Sequence, residues 1–426
     1  MSMREHSLRR QIVSEMHLRR WPLLDPPMLV IQVLLTVSEE DRPREIEMLA
    51  SPPEGARLDS TDNPRHQSGE LPPDIRFTWE RHSEASALTL FFKQPNGHGL
   101  GEEKSDPRLA LAKEWIARFP GEVIRATRIR LVRDDMEAGR LLERLDLSEP
   151  EIVSCHIGRG PRIWSDFRIG QDGFGNMVVA ANGVLRRDLT RTVQRLQELG
   201  NYRNLALLGL PVARTYWPEL DRIEESLSQL ASDVSVAEIS DDRLLDRVST
   251  LSLDLISIST GAGYRMSATS AYAQLVEERL AELEVQAIEG FPSLEDFTQR
   301  RLLPAVRTCA THVRRESELS QRAATFAALL RTRIETRIEN QNARLLKSME
   351  RSASMQLRLQ RLVEGLSVVA LSYYALGLAS YLLKGLAEIG YIGDANLVVA
   401  MLTPAVMILM WWITHLMKRK LLDSES

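Results

Sequence analysis

The chain has 426 residues, of which 44% are hydrophobic and 26% charged, and its formal net charge is −4. That length suits one large or two ordinary domains whose core needs no covalent staples. The near-balanced charge excludes a strong overall field, so no nucleic-acid partner is expected.

The two cysteines, Cys155 and Cys309, are far apart and neither belongs to a CxxC pair. This excludes a disulfide framework and a structural zinc site, and leaves two thiols in a reducing compartment. No apolar run of signal-peptide length follows the first residues, so the body is expected in the cytoplasm.

In chain order, residues 4–20 read as a short helix with Leu8, Ile12 and Met16 on one face. Residues 28–37 form an apolar, β-branched run that predicts a buried strand. Residues 41–74, rich in Pro, Glu, Asp and Ser, read as a loop or poorly ordered segment. Strands are expected at 75–80 and 87–92, then a glycine-rich loop at 93–105. A helix over 110–119 stops at Pro120-Gly121. A strand over 123–132 and a helix over 136–147 follow. Three further strands are expected at 152–157, 163–169 and 177–181, with Asp172-Gly173 marking a hairpin turn between the last two.

From Arg186 onwards the pattern is helical. The stretch from Asp241 to Glu289 is expected to fold back as one arm of a helical hairpin, with Gly261-Ala262-Gly263 marking a bend. No glycine or proline lies between Pro304 and Gly365. That permits a stalk helix of about 60 residues, roughly 90 Å long. Ala323, Phe326, Leu330, Ile334, Ile338, Leu345 and Met349 recur along it at helical steps, a stripe for packing in coiled-coil fashion. Its weakest helix formers are Asn340-Gln341-Asn342, where a break is expected.

Two uncharged runs close the chain, Leu366 to Leu383 and Ala395 to Met417. Both are near the 20 or so apolar residues that span a hydrocarbon core. Arg351, Arg358 and Arg361 precede the first, and Lys418, Arg419 and Lys420 follow the second. Basic flanks stay on the cytoplasmic side, so both termini are expected there. Trp411 and Trp412 sit where an interfacial aromatic belt lies. The fold class is therefore α+β. A mixed α/β cytoplasmic domain occupies 1–185, a helical region 186–303, a stalk helix 304–364 and a two-helix transmembrane hairpin 365–420.

Candidate chemistry is sparse. His17 precedes Arg19-Arg20-Trp21-Pro22, and Glu80, Arg81 and His82 end a strand. His beside Arg suits anion binding or acid–base work, yet no nucleophile stands at a triad spacing, and ion pairs or caps account for both groups. Asp166, Arg168 and Arg265 are further candidate polar positions. Asp172-Gly173-Phe174-Gly175 lacks the rest of a kinase pattern, and Gly97-His98-Gly99-Leu100-Gly101 lacks the Lys-Ser/Thr of a phosphate loop. No enzyme activity, cofactor or metal-ligand set is expected. Tyr373, Tyr374, Gly377 and Tyr381 make a small-and-polar face on the first span, suited to helix contact or to lining a pore in an oligomer.

Several segments in order carry a family resemblance: Glu15-Met16-His17, Thr78-Trp79-Glu80-Arg81-His82, Asp166-Phe167-Arg168, Asn201-Tyr202-Arg203, Tyr264-Arg265-Met266 and Arg300-Arg301-Leu302-Leu303-Pro304. On these the chain resembles a bacterial family of uncharacterised membrane-anchored proteins, a domain of unknown function, over nearly its whole length. The resemblance implies an inner-membrane location and supplies no mechanism. The layout alone is similar to CorA-type magnesium channels, but the Gly-Met-Asn motif that likeness implies is absent; the first span ends Ser380-Tyr381-Leu382-Leu383-Lys384-Gly385. The sequence thus points to an oligomeric, membrane-anchored scaffold or interaction module. The alternative is a CorA-like ion channel or transporter with an altered filter, for which metal ions are the partners.

Overall fold

The computed structural model describes residues 6–9, 12–13, 21–61, 63–93, 100, 106–145, 147, 151–234, 239–388 and 394–423. Most of the helix expected at 4–20, including His17, and most of the loop 93–105 lie outside the described residues. The chain divides into two units, residues 1–327 and 328–426.

The first unit is built on a ten-stranded sheet. Its strands in chain order are β1 (Met28–Thr36), β2 (Arg57–Leu58), β3 (His66–Leu71), β4 (Ile75–Arg81), β5 (Ala85–Lys93), β6 (Glu122–Val132), β7 (Val153–Ile157), β8 (Arg162–Ser165), β9 (Gly175–Ala180) and β10 (Val285–Ala287). Their spatial order is β10-β7-β8-β9-β6-β1-β5-β4-β3-β2. Among the described residues only β6 and β9 pair in parallel. The helices are α1 (Arg42–Ala50), α2 (Pro107–Ala117), α3 (Asp135–Leu142), α4 (Arg186–Leu207), α5 (Gly209–Asp233), α6 (Asp241–Glu282), α7 (Leu294–Glu388) and α8 (Ala395–Asp423).

Strand β1 lies inside the sheet, and both its faces are covered. Met28, Val30 and Leu34 join Ile129, Val179, Val193, Leu196 and Val276 in one core. Leu29, Ile31, Val33 and Leu35 join Phe77, Trp79, Trp115 and Phe119 in the other. Burial on both faces is why the strand reads as an unbroken apolar run. Each such side chain contributes about 1.5–3 kcal/mol on burial. Helices α2 and α3 begin on aspartate caps: Asp106 accepts from the Arg108 amide at 2.9 Å, and Asp134 from the Glu137 amide at 2.8 Å.

The segment 41–74 is not the loop its composition suggests. It contains α1, β2 and β3. Helix α1 is held by tertiary contacts: Leu49 is buried, and Glu45, fully buried, accepts from the Trp79 indole at 2.9 Å. Strand β3 carries little apolar signal because it gains its place by pairing with β4 from His66 to Leu71. At Gly69 a Cβ would collide with the Arg57 carbonyl oxygen and crowd the Phe77 ring, so only glycine fits there.

One helical boundary also changes. Helix α6 ends at Glu282, and the residues after it form β10, paired with β7. Glu284, at φ +48°, turns the chain between them. Gly261 and Gly263 lie inside α6, which runs through them. A Cβ at Gly261 would collide with the Tyr216 hydroxyl, so glycine admits that ring from α5. Helix α6 packs chiefly on α4 and α5.

Helix α7 is unbroken from Leu294 to Glu388. It passes through Pro304, whose carbonyl accepts from the Thr308 hydroxyl at 2.9 Å, and through Asn340-Gln341-Asn342 without a break. Propensity at two asparagines costs only a few tenths of a kcal/mol each, too little to interrupt a helix this long. In the second unit, α7 and α8 are each long and apolar enough to cross a membrane, and the apolar windows of both are almost wholly exposed.

Candidate functional site

A buried polar row crosses the apolar sheet. Thr78 of β4 stands opposite Thr89 of β5, Thr89 opposite Gln32 of β1, and Gln32 opposite Thr127 of β6. All four are buried. They lie on the sheet face that α4 covers, because their neighbours two positions along, Ala87, Leu34 and Ile129, belong to that core. The Gln32 amide donates to Thr89 Oγ1 at 2.9 Å.

Arg125 lies on the same face of β6, two residues before Thr127. Its Nη1 donates to Gln197 Oε1 at 2.6 Å, Asn201 Oδ1 at 3.0 Å and Gln32 Oε1 at 3.2 Å. All three acceptors are neutral amides. A Cβ on Gly200 of α4 would lie 2.6 Å from the Arg125 guanidinium carbon, so this glycine leaves the space the cation occupies. Burial and the adjacent Arg203 cation hold the Arg125 pKa down to about 9.

Arg203, one turn further along α4, is 8% exposed and makes no hydrogen bond or ion pair among the described residues. Burial lowers its pKa to about 10. Its guanidinium carbon lies 4.6 Å from the Phe167 ring and 5.0 Å from the Phe297 ring, which stack on each other at 4.5 Å. Cation–π contact contributes about 0.5–2 kcal/mol, whereas desolvating an unpaired charge costs several. The aromatic pair therefore does not compensate the buried cation. Phe167 itself has φ +51°, an unfavourable conformation for a bulky residue.

These groups open into a cavity of about 290 Å³ lined by Arg125, Arg168, Arg203 and Arg301, with Thr127, Ser165, Asn176 and Asn204 in the polar wall and no carboxylate among the described residues. Of the residues singled out in the sequence, Arg168 lines this cavity. Its side chain is mostly exposed and pairs with Glu151 at 2.8 Å, and the Glu151 carboxylate raises its pKa. Asp166 shapes the same loop, accepting from the Arg168 amide at 3.1 Å.

The other expected residues gather elsewhere. Arg265 of α6 forks onto Glu84, with Nη1–Oε1 at 2.9 Å and Nη2–Oε2 at 2.6 Å. Burial, then Glu84, raises the pKa of Tyr272 close by. Tyr272 stacks on Tyr202 at 6.0 Å, and His82 meets Tyr202 edge-on at 6.1 Å. Arg265 and His82 are thus joined through two tyrosines. Arg81 lies 6.0 Å from the Trp79 ring beside a second cavity that His66 also lines. Glu80 faces His66 across the β3–β4 ladder. In the second unit Tyr373, Tyr374 and Tyr381 are exposed, and nothing lies within 4 Å of a Cβ built on Gly377.

Sequence reading gave no site role to Arg125, Gln197, Asn201 or Arg203, although Asn201 and Arg203 lie in a segment that carries the family resemblance. A signal existed. Val193, Gln197 and Asn201 succeed one another at four-residue steps, so two amides fall on the apolar stripe of α4.

Cys155 and Cys309 are buried free thiols, and burial raises the pKa of both, of Cys155 to about 11. No group of three His, Cys, Asp or Glu side chains suited to hold a metal ion occurs among the described residues.

His312 of α7 is buried, with Nδ1 unpaired and its ring 6.4 Å from Tyr216. Burial lowers its pKa from 6.5; Glu316 opposes the shift and Arg315 adds to it. A lowered folded value means that the neutral ring is the stabilising form. Its contribution is complete above the unfolded value of 6.5 and is lost as pH falls through the folded value. Replacing His312 with Leu is expected to flatten the fall in melting temperature between pH 7 and pH 5. Parallel curves for both proteins would show that His312 does not titrate on unfolding.

No curated protein and no solved structure matches the chain, so the layout likeness to CorA-type channels gains no support from them. A family model described as protein of unknown function (DUF3422) matches residues 4–421. That match spans nearly the whole chain, and the chain belongs to this family of unknown function.

Proposed function

We propose that the chain is a membrane-anchored protein without enzymatic activity, held by α7 and α8 in the inner membrane of a bacterium with both termini in the cytoplasm. There its sheet domain serves as an oligomeric scaffold or interaction module. The observation that carries this reading is the pair of apolar helices, whose spanning windows are 6% and 0% buried. Apolar surface on that scale needs lipid or protein to cover it. The basic residues that flank the two uncharged runs support the orientation. Self-association is supported by Ile338, Leu345, Leu346 and Met349, apolar and exposed along α7.

The second reading, ion conduction in the manner of CorA-type channels, draws on the exposed tyrosines of the first span. One hairpin cannot enclose a pore, so both readings meet in one experiment. Native mass spectrometry of the full chain in nanodiscs is expected to give a discrete oligomer. The same preparation in liposomes is expected to pass no metal ions. A monomer would sink the oligomeric scaffold, and selective flux would replace it with the channel.

A further inference from the structure

We propose that the arginine-walled cavity between β6, the loop 165–175 and α4 is a binding site for a phosphate group. The group is taken as free phosphate, on a small phosphorylated molecule or on a lipid headgroup.

The charges at the cavity wall are unbalanced. Among the described residues four arginines line the cavity and no carboxylate does. Among the described residues Arg168 alone of the four pairs with a carboxylate, that of Glu151, and both members of that pair are largely exposed. Arg203 is more than nine-tenths buried, lines the cavity and has no hydrogen-bond or ionic partner among the described residues. Arg125 satisfies one nitrogen with three neutral oxygens and none with a negative charge. A folded chain does not bury one cation, Arg203, beside a second, half-buried one, Arg125, without an anion to compensate them.

The chemistry of the walls selects the anion. Arginines enter the wall from β6, from α4, from the loop after β8 and from α7, so cationic donors stand on several sides of the cavity. A tetrahedral dianion meets such an arrangement better than a planar carboxylate does, since the latter is saturated by one arginine fork. Thr127, Ser165, Asn176 and Asn204 add neutral polar groups at the same wall. The size of about 290 Å³ is at the small end for ligand sites and fits a phosphate with a modest substituent. The left-handed conformation of Phe167 places its ring against Arg203 at the cavity wall, and backbone strain of this kind concentrates where a site must be held open. The site is independent of the scaffold reading and of the oligomeric state.

The test uses the full chain in phosphatidylcholine nanodiscs. Inorganic phosphate is titrated against chloride at matched ionic strength, with calorimetry and thermal melting as readouts. Saturable binding and a rise in melting temperature are expected for the natural chain. Arg203→Gln is expected to weaken phosphate binding about tenfold or more, as loss of a charged hydrogen-bond donor does. It is also expected to raise the melting temperature without phosphate, because an uncompensated charge is removed. A merely structural Arg203 would lower it. Arg168→Gln, at an exposed position, is expected to weaken binding several-fold with the fold intact, which keeps the test open if the first variant fails to fold. Arg222→Gln, remote from the cavity, is expected to bind as the natural chain does. Nanodiscs containing phosphatidic acid distinguish the sources. Weaker apparent phosphate affinity there assigns the site to a lipid phosphate, and unchanged affinity to a soluble one. No saturable effect beyond chloride, or unchanged affinity in both Arg203→Gln and Arg168→Gln, would overturn the proposal.

Discussion

Ending the chain after Glu364 is expected to release it from the membrane fraction, while the full chain resists extraction by alkaline carbonate. The truncation removes both uncharged runs, Leu366 to Leu383 and Ala395 to Met417. The apolar side chains of these runs, Val369, Leu378, Ile408 and Leu409 among them, are exposed in the second unit. On insertion scales each such residue near a span's centre contributes about 0.3–0.6 kcal/mol, so a run of 18 or more holds a protein in the bilayer for its lifetime. A chain ended after Asp394 keeps the first run and is expected to stay carbonate-resistant. Extraction of the full chain by carbonate would mean that protein, and not lipid, covers these helices.

Glu84→Ala is expected to cost about 3 kcal/mol of stability. Glu84 lies in the turn before β5, and its fork with Arg265 ties that turn to α6, 181 residues away in the chain. The two side chains are 10% and 20% exposed. Removing the carboxylate leaves a guanidinium largely out of water with no partner, and the cost lies in that orphan charge more than in the lost attraction. Arg265→Ala is expected to cost a similar amount by orphaning Glu84 beside Tyr272. The double variant is therefore expected to lose less than the sum of the singles, by about 1–3 kcal/mol. Denaturation midpoints of the four proteins measure this directly, and strict additivity would show that the two groups do not depend on each other.

Much of the architecture was legible because it is written in local periodicity. Strand β1 announces itself as an unbroken apolar run, and β8 and β9 as short runs on either side of Asp172-Gly173, which does turn the hairpin. Strand β3 and helix α1 were not legible. The residues of His66–Leu71 have almost no apolar alternation, and α1 has only Leu49 as an apolar anchor in the core. Their stability comes from partners: β4 for the first, and the Trp79 indole on Glu45 for the second. Composition reports neither.

The candidate site divides along the same line. Arg168 and Asp166 could be singled out because a polar cluster interrupts a strand pattern. Arg203 and Arg125 could not, since an arginine in a helix or at a strand end ordinarily reaches water.

By itself, then, the sequence determined that this is an α+β chain with two helices apolar enough to span a membrane, since an uncharged run of that length is a property of consecutive residues. Only the tertiary structure decided that Thr78, Thr89, Gln32 and Thr127 form one buried row and that Arg125 and Arg203 stand together over it. Strand register and the docking of α4 bring together residues up to 125 positions apart, from Thr78 to Arg203, and no window along the chain contains such a distance.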